Sequence, residues 1–136
     1  MKVLMLYTEK FAYTPALKVL GDADADPLPA EIRNALIAFI QVEEKDEGDL
    51  RGREKKLVNT LKWAARKNET KRIVLHSFAH LSDSKAEASY SKAILDEAEK
   101  RLQNGGYETR QTPYGYFLDL EIKAPGHPLA RLFSDL

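Results

Sequence analysis

The sequence predicts an α/β domain on a mixed central sheet, with βαβ units in the middle and antiparallel strands added at the margins. Residues 1–8, 35–43 and 72–78 are apolar runs rich in Leu, Ile and Phe, of the length of buried strands. Leu57, Val58, Leu61, Ala64 and Ala65 recur at i, i+1, i+4, i+7 and i+8, and Tyr90, Ile94, Ala98 and Leu102 run down a second helical face. Strand and helix thus alternate through the middle of the chain, the order that produces parallel pairing through crossovers.

The first run, MKVLMLYT, is too short and ends too polar for a secretory leader, so it reads as the first strand. Residues 11–29 carry Gly21, Pro27 and Pro29 among Asp22, Asp24 and Asp26, a hairpin or irregular excursion ending in an acidic turn. After the second strand, residues 46–52 form a charged loop, and the first helix ends at Asn68. Ser84 and Glu87 have capping-box spacing and predict the start of the second helix, which Asn104, Gly105 and Gly106 stop. Residues 107–112 and 116–123 read as a hairpin across Pro113-Tyr114-Gly115. Leu118, Leu120 and Ile122 alternate there with Phe117, Asp119, Glu121 and Lys123, so one face is wet. Pro125, Gly126 and Pro128 break that strand, and residues 129–133 suit a short last helix.

At 136 residues the chain makes one domain with a core large enough to need no staple. It has no cysteine, which removes disulfides, thiolate nucleophiles and Cys-based zinc sites and fits a reducing cytoplasm. No apolar run reaches the ~20 residues of a membrane span. Lys and Arg number 21 against 21 Asp and Glu, a zero net charge that argues against a broad basic face for long nucleic acid while leaving room for contact with one nucleotide end.

Ligands of such sheets sit beyond the carboxyl ends of the strands, where Ser77-Phe78-Ala79-His80 precedes the second helix. A loop entering a helix offers free N–H groups and a positive dipole end to an oxyanion or a carbonyl. His80 is then either a polar or acid/base group of a site or a locally packed cap. His76 and His80 are four apart but lie in strand and loop, so helical metal-ligand spacing does not apply, and no metal site is expected. His127, held extended by Pro128, forms a turn or a pocket rim. No nucleophile elbow, P-loop, dinucleotide fingerprint or H-E-x-x-H is present. Glu43, Glu44, Asp46, Glu47 and Asp49 lack metal-ligand periodicity and read as a solvated loop. Tyr7, Tyr13, Tyr114 and Tyr116 are either core or stacking surfaces for a base.

Phe78-Ala79-His80-Leu81-Ser82, Pro113-Tyr114-Gly115-Tyr116-Phe117 and Gly126-His127-Pro128-Leu129-Ala130, with the strand Ala38-Phe39-Ile40-Gln41-Val42-Glu43, fall in an order that resembles the N-terminal editing domain of archaeal threonyl-tRNA synthetases. The resemblance covers nearly the whole chain. It implies a D-aminoacyl-tRNA deacylase-like fold, a homodimer, and residues 1–136 as a single editing domain at the front of a longer synthetase or editing subunit. It also implies hydrolysis of L-serine mischarged on threonine tRNA, with the acceptor end of tRNA(Thr) and a catalytic synthetase domain or subunit as partners and no cofactor for editing. The family's pocket is formed partly by main chain, and the terminal ribose 2′-hydroxyl helps activate the water. Carried across, Ser77, Phe78 and Ala79 present backbone groups to the ester, His80 is the polar pocket side chain, Val42 contacts substrate and Tyr116 stands at the mouth. Three positions depart from the pattern: Phe117 replaces a common tyrosine, Leu118 an expected lysine and Arg131 an expected glutamate. Removal of D-amino acids from tRNA is a second reading within the same fold. A non-catalytic module that binds tRNA or a synthetase partner is a third.

Overall fold

In the computed structural model, which describes all of Met1–Leu136, the longest strand organises the sheet. Strand β1 (Lys2–Lys18) pairs antiparallel along residues 2–13 with all of β2 (Ala30–Gln41). Its other edge is shared by β5 (Tyr116–Lys123) along residues 10–18 and β6 (Arg131–Asp135) along residues 2–6. Helix α1 (Leu50–Lys67) carries the chain from β2 to a parallel β3 (Arg72–Ser77), and α2 (Ala88–Asn104) from β3 to a parallel β4 (Glu108–Gln111). The order β4-β3-β2-β1-β5, with β6 beside β1, is the mixed sheet with βαβ units that the sequence implies.

Of the two forms expected over residues 11–29, the structure takes the hairpin: residues 11–18 continue β1, and residues 19–29 turn the chain back into β2. Asn34 adopts a left-handed conformation (φ 53) opposite Glu9. Around this point the inward alternation shifts by one residue in both strands. Leu4 and Leu6 before it, and Phe11 and Tyr13 beyond it, contribute to the same apolar cluster. A strict period of two therefore loses the strand at residue 9.

Helices α1 and α2 cover one side of the sheet, where Leu57, Leu61, Ile94 and Leu102 pack on Val3, Met5, Ala38 and Ile73 in a core of fully buried side chains. The helix-free side carries Phe11, Tyr13, Ala35, Ile37, Phe39 and Val74. Leu120, Ile122 and Phe133 remain exposed on the strands that pair with β1 there. Burial of each large core side chain contributes roughly 1.5–3 kcal/mol.

Four expectations are corrected. Residues 107–123 form no hairpin: β4 pairs with β3 and β5 with β1, so residues 112–115 cross between opposite margins of the sheet. Residues 129–133 give only a 3₁₀ turn at Pro128–Ala130 before β6, because the open edge of β1 at residues 2–6 takes the chain as a strand. Ser84 caps no helix. Its hydroxyl accepts from the Glu44 N–H at 3.0 Å, and α2 begins later, after Glu87, with no side-chain cap. The acidic stretch is a solvated loop only in part: Glu44, Glu47 and Asp49 are exposed, but Glu43 and Asp46 are buried. Their carboxylates hold the Met1 ammonium at 2.8 and 3.0 Å, and Asp46 also pairs with Arg53 at 2.8 Å. Sequence distance conceals this pairing.

The charge balance is also uneven. Helix α1 holds seven basic residues and one acidic residue in 18 positions, so a chain of zero net charge does carry a local basic face.

Candidate active site

Strands β2 and β3 end side by side, and the chain leaving β3 is stitched back onto β2. The Phe78 N–H donates to the Ile40 carbonyl at 3.0 Å and the Ala86 N–H to the Val42 carbonyl at 3.0 Å. Between them the carboxamide of Gln41, 3% exposed, uses both ends. Its Oε1 accepts from the N–H groups of Leu81 and Ser82 at 2.6 and 2.8 Å, and its Nε2 donates to the carbonyls of Ser82 and Ser84 at 2.8 and 2.9 Å. The Ser82 hydroxyl donates to Glu43 at 2.7 Å, tying the loop to the buried ammonium. A buried glutamine with four bonds holds irregular backbone in one conformation, because freeing any of these groups leaves a desolvated donor or acceptor.

The opposite wall comes from the crossing between β4 and β5. Gly115 (φ 86) accepts from the N–H groups of Val19 and Leu20, and a Cβ there would stand 2.5 Å from that of Ala23, so the close approach of the β1–β2 turn requires glycine. The Tyr114 hydroxyl donates to the Ala88 carbonyl at 2.8 Å, and burial pushes this phenol above its ordinary pKa. The Tyr116 hydroxyl donates to the Asp24 carbonyl at 3.0 Å.

Between these walls lies a cavity of about 480 Å³. Val42, Ser77, Phe78, Ala79, His80, Tyr116, Phe117 and Leu118 all line it. Segments at least 35 residues apart in sequence therefore meet at one place; Arg131 lies outside, at the start of β6. An edge-to-face aromatic series backs the wall, from Phe39 to Phe78 at 5.2 Å and from Phe78 to His80 at 5.1 Å between ring centroids. His80 then stacks on Phe117.

The expectation that residues 78–80 stand at a helix N-terminus is not met, because α2 starts at Ala88. Ala88 and Ser91 of that helix line the cavity instead. Of the three N–H groups in question, that of Phe78 is consumed by Ile40, whereas those of Ala79 and His80 donate to no group of the chain. Two adjacent free amides on a fixed loop beside an exposed imidazole suit an ester oxygen that gains charge.

His76 plays a different part. It is 7% exposed, with Nδ1 2.9 Å from the Thr112 hydroxyl, and burial pushes its pKa down to about 4. It supports the wall as a neutral ring. No group of three His, Asp or Glu side chains gathers in a ligating arrangement. Gln41, Lys85 and Ser91 also line the cavity and escaped the sequence reading. Gln41 was legible as the one amide in the apolar run 35–43. Lys85, the one Lys, Arg, Asp or Glu of the lining, had no local signal.

Fold and cavity together define a small α/β domain with unpaired main-chain groups at the ends of parallel strands. The same architecture is seen in a solved structure, the c-Myc DNA Unwinding Element Binding Protein, with a TM-score of 0.64 over all of this chain and 99% of that one at 11% identity. The sequence profile of the archaea-specific editing domain of threonyl-tRNA synthetase matches residues 1–136, and the chain belongs to that family. Threonine–tRNA ligase of Methanococcus maripaludis strain C7 is 33% identical over 132 residues, and that of Thermococcus sibiricus 30% identical over 135, each across 97% of this chain. The chain spans 21% and 22% of the length of those two relatives. Its class of activity is aminoacyl-tRNA deacylation, the removal of misattached amino acid. No helix is long and apolar enough to cross a membrane.

Proposed function

We propose that this domain hydrolyses the ester of L-serine mischarged on threonine tRNA, in the cavity between Val42, residues 77–80 and residues 116–118. The observation that carries the reading is the convergence of all eight resemblance-assigned positions on one cavity beside two unused amides. Threonine exceeds serine by one methyl, and a synthetic site gains only about 1–3 kcal/mol from such a group, so a second, hydrolytic site is needed.

Water adds to the ester carbonyl carbon with help from the ribose 2′-hydroxyl. The oxyanion that forms is held by the N–H groups of Ala79 and His80. The bond to the ribose 3′-oxygen then breaks, and the proton given up by water ends on that oxygen, releasing serine and a free tRNA end. Val42, Phe78 and Ser77 bound the amino-acid part, His80 contacts it as the polar side chain, and Tyr116, Phe117 and Leu118 flank the terminal adenosine. A main-chain mechanism of this kind tolerates Leu118 in place of lysine, because the carbonyl is polarised by the fixed loop.

The domain acts as a homodimer and serves a catalytic synthetase domain or subunit, in the cytoplasm. Exposed Leu120, Ile122 and Phe133 on the helix-free side support the dimer, since apolar residues grouped on a sheet face favour coverage. Side-by-side hydrolysis of L-seryl and D-aminoacyl esters of tRNA(Thr) tests the substrate: preferential turnover of the L-seryl ester is expected, and turnover of the D-aminoacyl ester alone would replace this reading with D-amino-acid removal. Sedimentation at micromolar concentration tests the dimer, which a monomer would contradict.

A further inference from the structure

We infer that the outer face of α1 is a docking strip for the phosphate backbone of double-helical RNA. This goes beyond the cavity, which accounts only for the 3′ end of a tRNA. Arg51, Lys55, Lys56, Arg66 and Lys67 are exposed and Lys62 is partly so, and none of the six forms an ion pair. The helix's one acid, Glu54, is 2% exposed and turned inward to Arg101 at 2.5 Å. The outward surface therefore has no negative group of its own.

Helix stability does not explain this pattern. Arg51 and Lys55, and Lys62 and Arg66, are like charges at i,i+4, which oppose the helix. Asp49 caps the N-terminus, and Arg66 and Lys67 suit the negative end of the dipole, but Arg51 stands at its positive end and Lys55, Lys56 and Lys62 lie too far from the last turn to gain from it. A merely solvated face mixes signs, as α2 does with Lys92 and Asp96 at 2.7 Å.

Trp63, 43% exposed, stands among the cations. A flat ring between lysines suits sugar and base edges beside phosphates. An acidic protein surface fits less well, because the core of a protein interface is depleted in charge and apolar, and Trp63 is the strip's one large apolar side chain. From Lys55 to Lys67 the strip spans roughly 18 Å, enough to follow several phosphates. Helix α1 runs back from the end of the sheet where Gln41 and Val42 line the cavity, so the strip leads away from the site and can follow a stem whose end is held there.

Trp63 is the only tryptophan, so its fluorescence reports the strip directly. The 136-residue chain and the triple variant Lys55→Gln, Lys62→Gln, Arg66→Gln are titrated with an RNA hairpin ending in CCA across a range of salt. For the parent chain, Trp63 emission changes on binding and affinity falls with salt. In the variant, affinity drops about tenfold or more and the slope of log K against log[salt] flattens by about 2 to 3, as loss of three phosphate contacts requires. Equal affinity and slope in the two proteins, or an emission that does not respond to bound RNA, would overturn the inference. So would polyglutamate acting as well as the hairpin, which would mark a surface for acidic protein. Hydrolysis of 3′-seryl-adenosine, which has no stem, is expected to be the same in both proteins. If neither cleaves it, the cavity reading fails while the hairpin titration still decides the strip.

Discussion

The imidazole of His80 stacks on the ring of Phe117, with centroids 6.4 Å apart and 23° between the planes. The two residues come from opposite walls of the cavity, and Phe117 is 52% exposed. His80→Ala is expected to lower single-turnover deacylation by about tenfold or more, while thermal stability changes little, because an exposed loop side chain contributes little burial. Phe117→Ala is expected to weaken binding of a seryl-adenosine analogue at nearly unchanged stability. Full activity in His80→Ala would remove that residue from the site.

Glu43 joins the buried Met1 ammonium to the Ser82 hydroxyl of the cavity loop. Burial pushes its carboxyl up, but the ammonium and the Ser82 hydroxyl outweigh this and hold it below the usual carboxylate range. Its contribution is therefore complete above the unfolded carboxyl pKa and is lost as pH falls through the lower folded one. Glu43→Gln is expected to destabilise by about 3–5 kcal/mol, the cost of leaving a buried charge short of a partner. Urea unfolding at neutral pH measures this, and a loss under about 1 kcal/mol would show that Asp46 suffices.

His76 gives a separate pH signature. Its folded pKa of about 4 lies below its ordinary value of 6.5, so the unfolded chain binds the extra proton between those limits. Stability is complete above pH 6.5 and declines by up to about 3 kcal/mol as pH falls toward 4. His76→Gln is expected to flatten that part of the profile, and an unchanged slope in the variant would assign the decline to other groups.

Much of this was legible in the sequence, and what was not has particular causes. The crossover helices announce themselves through Leu57–Leu61 and Ile94–Leu102 spacing, and the loop after β3 through its place at a strand end. The outer half of β1 was missed because the shift at Glu9 and Asn34 breaks the alternation. The hairpin over residues 107–123 was misread because alternation identifies a strand without naming its neighbour, and β1 and β3 supply the partners at long range. The burial of Glu43 and Asp46 depends on an ammonium more than 40 residues away. The strip on α1 vanished in a whole-chain sum, since an acidic remainder cancels it.

Leu118 and Lys85 bear on selectivity. Lys85 supplies a positive charge on the cavity wall, and its side chain is exposed. Lys85→Met is expected to raise KM for seryl-tRNA several-fold with kcat little changed, since a rim cation contributes to binding in ground and transition states alike. Leu118→Lys is expected to alter the ratio of seryl to threonyl hydrolysis, and unchanged rates on both esters would remove that position from discrimination.

Single-turnover hydrolysis of Ser-tRNA(Thr) beside Thr-tRNA(Thr), with a tRNA ending in 2′-deoxyadenosine as control, tests the central claim most directly. The seryl ester is expected to be cleaved, the threonyl ester spared and the deoxy substrate inert. A folded chain that leaves the seryl ester intact would contradict hydrolysis in this cavity, and rapid cleavage of the deoxy substrate would contradict the RNA-assisted mechanism.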